Sequence, residues 1–474
     1  MDQPLYEKIA DQIEQQIKEG TFLPGTKIPS VRKLSTQFTV SIATVLQAYG
    51  LLEDRGIVKA RPQKGYFVQE NIPVNNHIAS VELSSSNSLE PIQKTIKTLL
   101  QKSQNTNLLQ FGATTPSTQF LPIRQLQRSV GRLMRLEPEV CISYEFTPGS
   151  LSLRRQIAIR MLDTGYNAQP DEIIVTLGCQ NALMHTLQAI TKPRDIVAIE
   201  TPTYHGILQI INTLQLQAIE IPCHSSTGID IDTLEDALKK WSIKACIVTP
   251  NNQNPTGSNM SEIARNRLLT TCNHFNVPII EDDVYGELSY QDKRQQSIKA
   301  LDQTQNVIYC SSFSKSIAPG FRIGWVIGGR YHEQIEQYID VQSFAIPTLT
   351  QRAIANFLEN GAYDRHLRKT RQIYETNLQH IRHSIFTYFP SDTEVSDPQG
   401  GFLLWVKLPH NVNALLLHKH ALEHGIAIMP GLVFDLSQAF THHLRLNYAV
   451  NWDNSTNNAI RLLGQLAKKI QLNE

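Results

Sequence analysis

The chain has 474 residues, 41% of them hydrophobic and 18% charged, and its formal net charge at pH 7 is +1. Because ordinary domains run to about 100–200 residues, this length indicates at least two domains, and the near-neutral total charge identifies no partner. The six cysteines show no Cys-x-x-Cys spacing, which argues against a disulfide framework and predicts no metal site. The chain begins without an apolar leader and lacks a run of roughly 20 apolar residues, so we expect a cytoplasmic protein with no membrane contact.

The first 68 residues show a pattern of three helices followed by a hairpin. An apolar residue at every fourth position predicts an amphipathic helix ending near Gly20, and its members are Leu5, Ile9, Ile13 and Ile17. A turn is expected at residues 23–26. Ser30 and Ser41 are expected to cap two further helices, the second ending at Gly56. Residues 57–68 predict a hairpin with a basic tip.

Charge is unevenly distributed over this region. Residues 1–26 carry a net charge of −3, whereas residues 27–64 carry a net charge of +5. A local basic surface is typical of proteins that bind nucleic acids. Two short helices and a hairpin predict a winged helix-turn-helix whose second helix enters the major groove. The alternative is a three-helix cap with a solvated charged face.

We expect DNA contacts from the two helices and from the hairpin. Arg32 and Lys33 would lie beside the DNA backbone, and the hairpin tip in or near the minor groove. The candidates are Ser30, Arg32, Lys33, Ser41, Ala43, Thr44, Arg61, Lys64 and Gly65. Ile42 either touches a thymine methyl group or packs locally.

The same region resembles the GntR-type DNA-binding domain. The resemblance is carried by Ile28-Pro29-Ser30-x-Arg32-x-Leu34, Val40-Ser41-x-x-Thr44-Val45-x-x-Ala48-Tyr49 and Lys64-Gly65-Tyr66-Phe67-Val68. Two positions depart from it, since Ile42 and Leu46 stand where many GntR-type proteins carry arginine. Both departures remove a guanidinium that could read guanine.

A polar connection separates this domain from a longer one. We place the DNA-binding domain at residues 1–69, a linker at 70–107 and a second domain at 108–474. In the second domain, apolar strand-like runs alternate with helical patterns, which predicts an α/β domain with a mostly parallel sheet. The runs are Glu172–Thr176, Ile196–Glu200, Ala245–Thr249, Val277–Asp282 and Val307–Cys310.

The second domain contains residues whose chemistry fits one cofactor. Lys315 can form a Schiff base with an aldehyde, and Asp282, at the end of an apolar run, can keep a pyridine nitrogen protonated. Pyridoxal 5′-phosphate (PLP) needs both groups, and we expect them to be catalytic together with Tyr204. The expected cofactor-binding residues are Gly178, Cys179, Gln180, Tyr204, Asn254, Asp282, Tyr285, Ser312, Ser314, Lys315 and Arg322.

Each of these residues has an assigned part in the expected site. Gly178, Cys179 and Gln180 open a helix whose amides face the phosphate, which Ser312, Ser314 and Arg322 also contact. Tyr204 would stack on the ring, and Asn254 and Tyr285 would donate to the phenolic oxygen. The alternatives are a common turn at Asn254, a helix cap at Asp282 and a core position for Tyr204.

Residues 108–470 resemble the fold-type I aminotransferase family. The motifs are Asn254-Pro255-Thr256-Gly257, Asp282-x-x-Tyr285, Ser312-x-Ser314-Lys315 and Leu444-Arg445-Leu446-Asn447-Tyr448. The resemblance implies a large part at about 113–345 and a smaller α+β part at about 346–474. It also implies that Arg445 binds the substrate carboxylate, and that Tyr144 reaches the cofactor phosphate of the other subunit in a homodimer.

Joined in one chain, the two domains resemble the MocR subfamily of bacterial transcriptional regulators. The resemblance implies a PLP-dependent regulator that binds double-stranded operator DNA and senses an amino acid or amine, or PLP itself, through external aldimine formation at Lys315. Three alternatives are a working aminotransferase with an autoregulatory DNA-binding domain, a PLP-status sensor without turnover, and a DNA-binding scaffold that has lost its cofactor. Any transaminase activity is expected to be partial or weak.

Overall fold

The computed structural model describes residues 4–18, 22, 26–55, 57–61, 65–68, 83–84, 108–224, 228–291 and 293–473. Backbone contacts divide the chain into an N-terminal unit, residues 1–76, and a C-terminal unit, residues 77–474. Among the residues with described structure, no helix combines the length and apolarity needed to cross a membrane.

The N-terminal unit is a winged helix-turn-helix, as predicted. Its elements are α1 (Leu5–Lys18), α2 (Val31–Phe38), α3 (Ile42–Asp54), β1 (Val58–Arg61) and β2 (Gly65–Val68). The two strands pair antiparallel. Both predicted helix caps are confirmed, because Ser30 Oγ accepts from Lys33 N and Ser41 Oγ accepts from Thr44 N. The predicted turn at 23–25, the helix ends at Gly20 and Gly56, and the hairpin tip at 62–64 lie outside the described residues.

The core of this unit is built on one face of α3. Val45, Ala48, Tyr49 and Leu52 are fully buried against Ile9 and Ile13 of α1 and against the hairpin, and they form one apolar cluster. Arg55, at the end of α3, donates to Asp11 at 2.6 Å and to Glu14 at 2.9 Å. These ion pairs tie α3 to α1, so Arg55 serves the fold and not the basic surface.

The C-terminal unit is an α/β domain. Its strands are β3 (Leu83–Ser84), β4 (Leu109–Gln110), β5 (Glu145–Phe146), β6 (Ile173–Thr176), β7 (Ile196–Thr201), β8 (Gln217–His224), β9 (Gly228–Ile229), β10 (Ile243–Val248), β11 (Ile279–Asp282), β12 (Val307–Ser312), β13 (Gly324–Ile327), β14 (Ala345–Ile346), β15 (Glu394–Val395), β16 (Leu403–Lys407), β17 (Ile426–Ala427), β18 (Met429–Pro430) and β19 (His443–Asn447). Its helices are α4 (Ile123–Leu136), α5 (Pro138–Ile142), α6 (Leu151–Leu162), α7 (Cys179–Ile190), α8 (His205–Thr213), α9 (Ile231–Lys240), α10 (Glu262–His274), α11 (Ile298–Leu301), α12 (His332–Ser343), α13 (Thr348–Glu359), α14 (Ala362–Tyr388), α15 (Ala414–Glu423) and α16 (Asn454–Asn473).

A large, mostly parallel sheet lies at the centre of this unit, as predicted. Its described strands follow the order β3-β8-β7-β10-β11-β12-β13-β6, and β9 pairs with β8. Strands β8, β7, β10, β11 and β12 run parallel, whereas β13 is antiparallel to both of its neighbours. Helices α7, α8 and α12 pack on one face, and α9 and α10 pack on the other. Burial on both faces explains why these strands read as continuous apolar runs.

A second, antiparallel sheet with the order β15-β16-β19-β18 forms the C-terminal part of the unit. Helices α14, α15 and α16 contribute apolar side chains to the cluster that contains this sheet. Strand β4 pairs with β17, so the segment around residue 110 joins this part of the fold.

Two residues of the predicted linker form a strand in the structure. Leu83 and Ser84 form β3, which pairs antiparallel with Ile219 and Ala218 of β8. These residues therefore belong to the C-terminal unit, because a strand at the sheet edge gains ladder hydrogen bonds that the polar composition of the segment does not reveal. The other residues of 70–107 lie outside the described ranges, and the domain boundaries stay a prediction.

Candidate functional site

A cavity lies at the carboxyl edge of the parallel strands. Strands β10, β11 and β12 end side by side at Val248, Asp282 and Ser312, and ligands of open α/β sheets bind outside this edge. The predicted residues that line the cavity are Cys179, Gln180, Tyr204, Asn254, Asp282, Tyr285, Ser312, Ser314, Lys315 and Arg322. The lining also includes Leu183, Thr249 and Val284, which the motifs did not indicate.

Asp282 ends a fully buried strand, so its carboxylate sits on a rigid element. Burial raises its pKa to about 6, and the hydrogen bond from Cys179 opposes that rise. Cys179 Sγ donates to Asp282 Oδ1 at 3.3 Å. The thiol thus holds one carboxylate oxygen, a contact that residue types alone did not predict.

Lys315 follows β12 and turns into the cavity. Its Nζ donates to the backbone oxygen of Thr114 at 2.9 Å and lies 5.8 Å from the ring centroid of Tyr285. Burial, together with the nearby charge of Arg445, lowers the pKa of Lys315 to about 8. A larger fraction of this amine is therefore unprotonated near neutral pH than for an ordinary lysine, and the unprotonated amine is the nucleophile.

Another part of the cavity lining combines a helix start with an arginine. Helix α7 begins at Cys179, and Gly178 before it has a φ of 87°. L side chains rarely adopt this backbone conformation, so glycine is strongly favoured at this position. Arg322 donates to Ser314 Oγ at 3.3 Å and to the backbone oxygen of Leu177 at 2.8 Å. Backbone amides at the helix start and the guanidinium suit an anion.

Two tyrosines and an asparagine line the middle of the cavity. Tyr204 Oη donates to Gln180 at 3.1 Å, and burial raises the pKa of Tyr204 to about 12. Tyr285 is 2% exposed, and burial raises the pKa of its phenol. The amide oxygen of Asn254 accepts from Arg445 Nη1 at 3.0 Å, so its amide nitrogen is the group that can donate to a ligand.

Arg445, on β19 of the second sheet, does not itself line the cavity but contacts Asn254, which does. Its Nη1 donates to Asn254 and its Nη2 to the backbone oxygen of Gly112 at 2.6 Å. The side chain is fully buried, and burial lowers the pKa of its guanidinium to about 10. Among the described residues, no carboxylate lies within ion-pair distance of it.

Several supporting residues were not predicted from the sequence. His205, after Tyr204, is buried beside Phe434, and burial lowers its pKa to about 3, so its ring is neutral. Next to the lysine in the chain, Ser316 Oγ lies 2.7 Å from Tyr363 Oη, and the backbone oxygen of Ser316 lies 2.8 Å from His366 Nε2. Helix α14 thus fixes the residue next to Lys315. A single Tyr or His in an amphipathic helix carries no signal of such a role.

Tyr144 does not line this cavity. It is 73% exposed and forms an aromatic cluster with Phe146 and Phe344, with ring centroids 5.4–5.8 Å apart. Pairing of β5 with β14 brings the three rings together.

The chemistry of the cavity fits PLP. A half-buried amine, a carboxylate at a strand end and a helix start suited to an anion match the aldehyde, the ring nitrogen and the phosphate of this cofactor. Two buried polar atoms of the site, Tyr285 Oη and Arg445 Nε, have no hydrogen-bond partner among the described residues. Such atoms are costly to bury unless a ligand satisfies them.

The N-terminal unit presents several of the predicted DNA-binding residues together. Arg32, Lys33 and Ala43 are exposed on α2 and α3. The hydroxyls of Ser30 and Ser41 cap their helices, and Ser41 Oγ also lies 2.8 Å from Thr44 Oγ1. Gly65 begins β2 with a φ of 103°. Lys64 and the side chain of Arg61 lie outside the described residues.

Fold and cavity together define the C-terminal unit as a PLP-binding protein of the aminotransferase class. The family model "Aminotransferase class I and II" matches residues 106–462, and the chain belongs to this family. Among solved structures, that of LysN, the alpha-aminoadipate aminotransferase of Thermus thermophilus complexed with N-(5′-phosphopyridoxyl)-L-leucine, is similar. It has a TM-score of 0.75 and 27% sequence identity, covering 82% of this chain and 98% of that chain.

The particular family follows from the whole chain. The model "Bacterial regulatory proteins, gntR family" matches residues 5–68. The HTH-type transcriptional regulator YjiR of Escherichia coli K12 is 36% identical over 468 residues, which cover 97% of this chain and 98% of YjiR. YdcR of the same organism is 33% identical over 464 residues, which cover 98% of this chain and 99% of YdcR. The chain therefore belongs to the MocR subfamily of GntR-type transcriptional regulators, and its cofactor is PLP.

Proposed function

We propose that this regulator binds an amino acid at the cavity of its C-terminal unit and thereby changes its affinity for operator DNA. It acts as a cytoplasmic homodimer in this proposal. An effector can shift DNA affinity only through a difference in its own affinity for two conformations. The proposal therefore needs a group that recognises the effector and a segment that responds to it.

The observation that carries the proposal is the buried guanidinium of Arg445. A buried charge is strongly unfavourable unless it is paired, and no carboxylate among the described residues pairs with this one. The planar fork of arginine matches a carboxylate. A ligand carboxylate bound here supplies the missing partner, which favours amino acids over simple amines.

The other residues of the cavity supply the cofactor site. Bound there, PLP supplies an aldehyde and an electron-accepting ring. Lys315 would hold the aldehyde carbon covalently, Asp282 would keep the ring nitrogen protonated, and Tyr204 would lie against the ring. Asn254 and Tyr285 would donate to the phenolic oxygen, while Gly178, Ser312, Ser314 and Arg322 would hold the phosphate.

The responding segment is Phe111–Ser117, which follows the connection from the DNA-binding unit. Lys315 Nζ donates to the backbone of Thr114, and Arg445 Nη2 donates to the backbone of Gly112. When Lys315 is bonded covalently to PLP, its nitrogen has fewer hydrogens to donate to Thr114. When Arg445 binds a carboxylate, its N–H groups are shared between that carboxylate and Gly112. Occupancy of the cavity is thus linked to the position of this segment.

The exposed aromatic cluster supports the homodimer. Tyr144, Phe146 and Phe344 are 55–73% exposed, and a contiguous aromatic patch on a monomer is typical of an interaction surface. In a two-fold dimer, each contact between a residue of this patch and a residue of the partner subunit occurs twice. Tyr144 would then reach the phosphate site of the partner subunit.

A linkage experiment tests the proposed function. The visible absorption of the holoprotein reports binding of each of a panel of amino acids, and of the amines formed by removing their carboxyl groups, with and without operator duplex. We expect an amino acid that changes DNA affinity by a given factor to have its own affinity changed by the same factor at saturating DNA. Equal amino-acid affinity with and without DNA contradicts the proposal.

The complete cavity also favours a second candidate, an aminotransferase with an autoregulatory DNA-binding domain. Lys315, with its lowered pKa, is suited to move a proton as a general base. Multiple turnovers of an amino acid with 2-oxoglutarate, at the rates of ordinary enzymes, would support this function over sensing alone.

Arg32→Ala is expected to weaken operator binding about tenfold and to leave the absorption of the bound cofactor unchanged. Arg32 is exposed on α2, so the variant folds normally but loses a cation beside the DNA. If Arg32 contacts a phosphate, the slope of log affinity against log salt falls by about 0.9. Gel-shift titrations at several salt concentrations measure both effects. Arg461→Ala, which removes an exposed arginine of α16, is the matched control, and equal affinities of both variants would refute the role of Arg32.

A further inference from the structure

We infer that Ile42 and Leu46 form an apolar reading surface on α3 that contacts thymine methyl groups, so that this regulator selects A·T base pairs where they lie. The inference rests on DNA binding by the N-terminal unit. It adds the base preference of the recognition helix, which neither the fold nor the family supplies.

The two side chains lie on the solvent face of α3. Ile42 is 50% exposed and Leu46 is 47% exposed, whereas Val45, Ala48, Tyr49 and Leu52 on the same helix are fully buried. Residues four apart are neighbours on a helix surface. Neither Ile42 nor Leu46 belongs to the apolar residues that pack against the core of this unit. Local packing of Ile42, the alternative open from the sequence, is therefore disfavoured.

The fold gains little from these two residues. A single exposed leucine is common on protein surfaces, but an exposed isoleucine in the first turn of a helix also has a lower helix propensity than alanine, glutamate or lysine. Ser41 already caps this helix through its hydroxyl. The apolar pair thus needs an explanation outside the folding of the unit.

The position of the pair points to the major groove. Ile42 is the first residue of α3, and the N-terminal residues of a recognition helix face base edges. Arg32 and Lys33 are exposed on the preceding helix and supply the cations that attract the DNA backbone. A positively flanked apolar patch suits a duplex better than an apolar protein surface.

The chemistry of the groove then selects the base. Isoleucine and leucine neither donate nor accept hydrogen bonds, so they cannot satisfy the polar edge of a G·C pair. The thymine C5-methyl group is the apolar feature of the major groove. The polar edges of A·T and G·C pairs are equally unsatisfied by these side chains, so the methyl group carries the discrimination, and its burial is worth about fourfold in affinity.

The test removes single methyl groups from the DNA. Duplexes are selected from a random-sequence library with the full-length protein, and each dT of a selected duplex is then replaced with dU, which lacks only the methyl. We expect about a fourfold loss of affinity at one or two positions in each half-site. The double variant Ile42→Ala, Leu46→Ala is expected to bind more weakly and to be insensitive to dU at those positions. Ile263→Ala, an exposed isoleucine of the C-terminal unit, is the matched control and keeps the wild-type response.

Three outcomes overturn the inference. In the first, the wild-type protein binds a selected duplex specifically but no dU replacement changes its affinity. In the second, the double variant keeps the full dU response, so the methyl groups are read elsewhere. In the third, the double variant alters the oligomeric state and leaves DNA affinity unchanged, so the patch contacts protein. If instead no duplex is selected, DNA binding by the N-terminal unit fails together with the inference.

Discussion

Lys315→Ala is expected to abolish covalent attachment of PLP and, with it, the response of the protein to amino acids. Lys315 is a half-buried lysine that lines the cavity, and its pKa of about 8 leaves a reactive amine near neutral pH. Alanine offers no nucleophile, so PLP is held by its phosphate and ring contacts alone. Borohydride reduction followed by mass spectrometry should find the cofactor adduct on the wild-type peptide that contains Lys315, and no adduct on the variant.

Two comparisons make this result specific. Lys192→Ala, which removes an exposed lysine after α7, should retain the adduct and the visible absorption band. Ser312, Ser314 and Arg322 remain in Lys315→Ala, so the variant should still bind PLP reversibly, with fluorescence quenching as the measurement. An adduct in both proteins, or in neither while the cavity binds PLP, would refute the assignment of Lys315.

Much of the fold could be predicted because its signals are local. The central strands are buried on both faces and read as apolar runs, and β7, β11 and β12 lie within two residues of the predicted ranges. The caps at Ser30 and Ser41 depend on a side chain and an amide three residues away. Strands β8 and β13 were not predicted. The first mixes polar and apolar residues over Gln217–His224, and the second, Gly324–Ile327, has only three apolar residues after its glycine, so each gives a weak strand signal.

In the candidate site, too, some features could be predicted from local sequence and others could not. Lys315, Asp282 and Arg445 lie in sequence motifs from which their chemical roles could be predicted. Lys315 and Asp282 both line the cavity. Contacts between distant segments could not be predicted, because they depend on the packing of separate elements. The thiol of Cys179 on Asp282 joins residues 103 positions apart, and Lys315 reaches Thr114 across 201 positions. No pattern in either segment records its partner.

Arg445→Gln is expected to reduce the affinity for amino acids about 100-fold or more, with little change for the corresponding amines that lack a carboxyl group. Removing one partner of a buried, hydrogen-bonded charge pair costs about 2–5 kcal/mol. The guanidinium is fully buried, so solvent cannot compensate for its loss. Glutamine retains a polar group toward Asn254, but it supplies neither the positive charge nor the two parallel N–H donors of a guanidinium. Titrations followed by the visible absorption of the holoprotein measure both ligand classes in the same sample.

Arg445→Lys separates the charge from the geometry. Lysine keeps the positive charge but cannot bind a carboxylate through two parallel N–H groups, so an intermediate loss of about tenfold is expected. The ratio between an amino acid and its decarboxylated amine is the decisive quantity, because it cancels any general damage to the cavity. An equal loss for both ligand classes in Arg445→Gln would show that Arg445 shapes the cavity without binding a carboxylate. The buried guanidinium would then owe its position to Asn254 and to the backbone of Gly112, and the preference for amino acids would lose its physical basis.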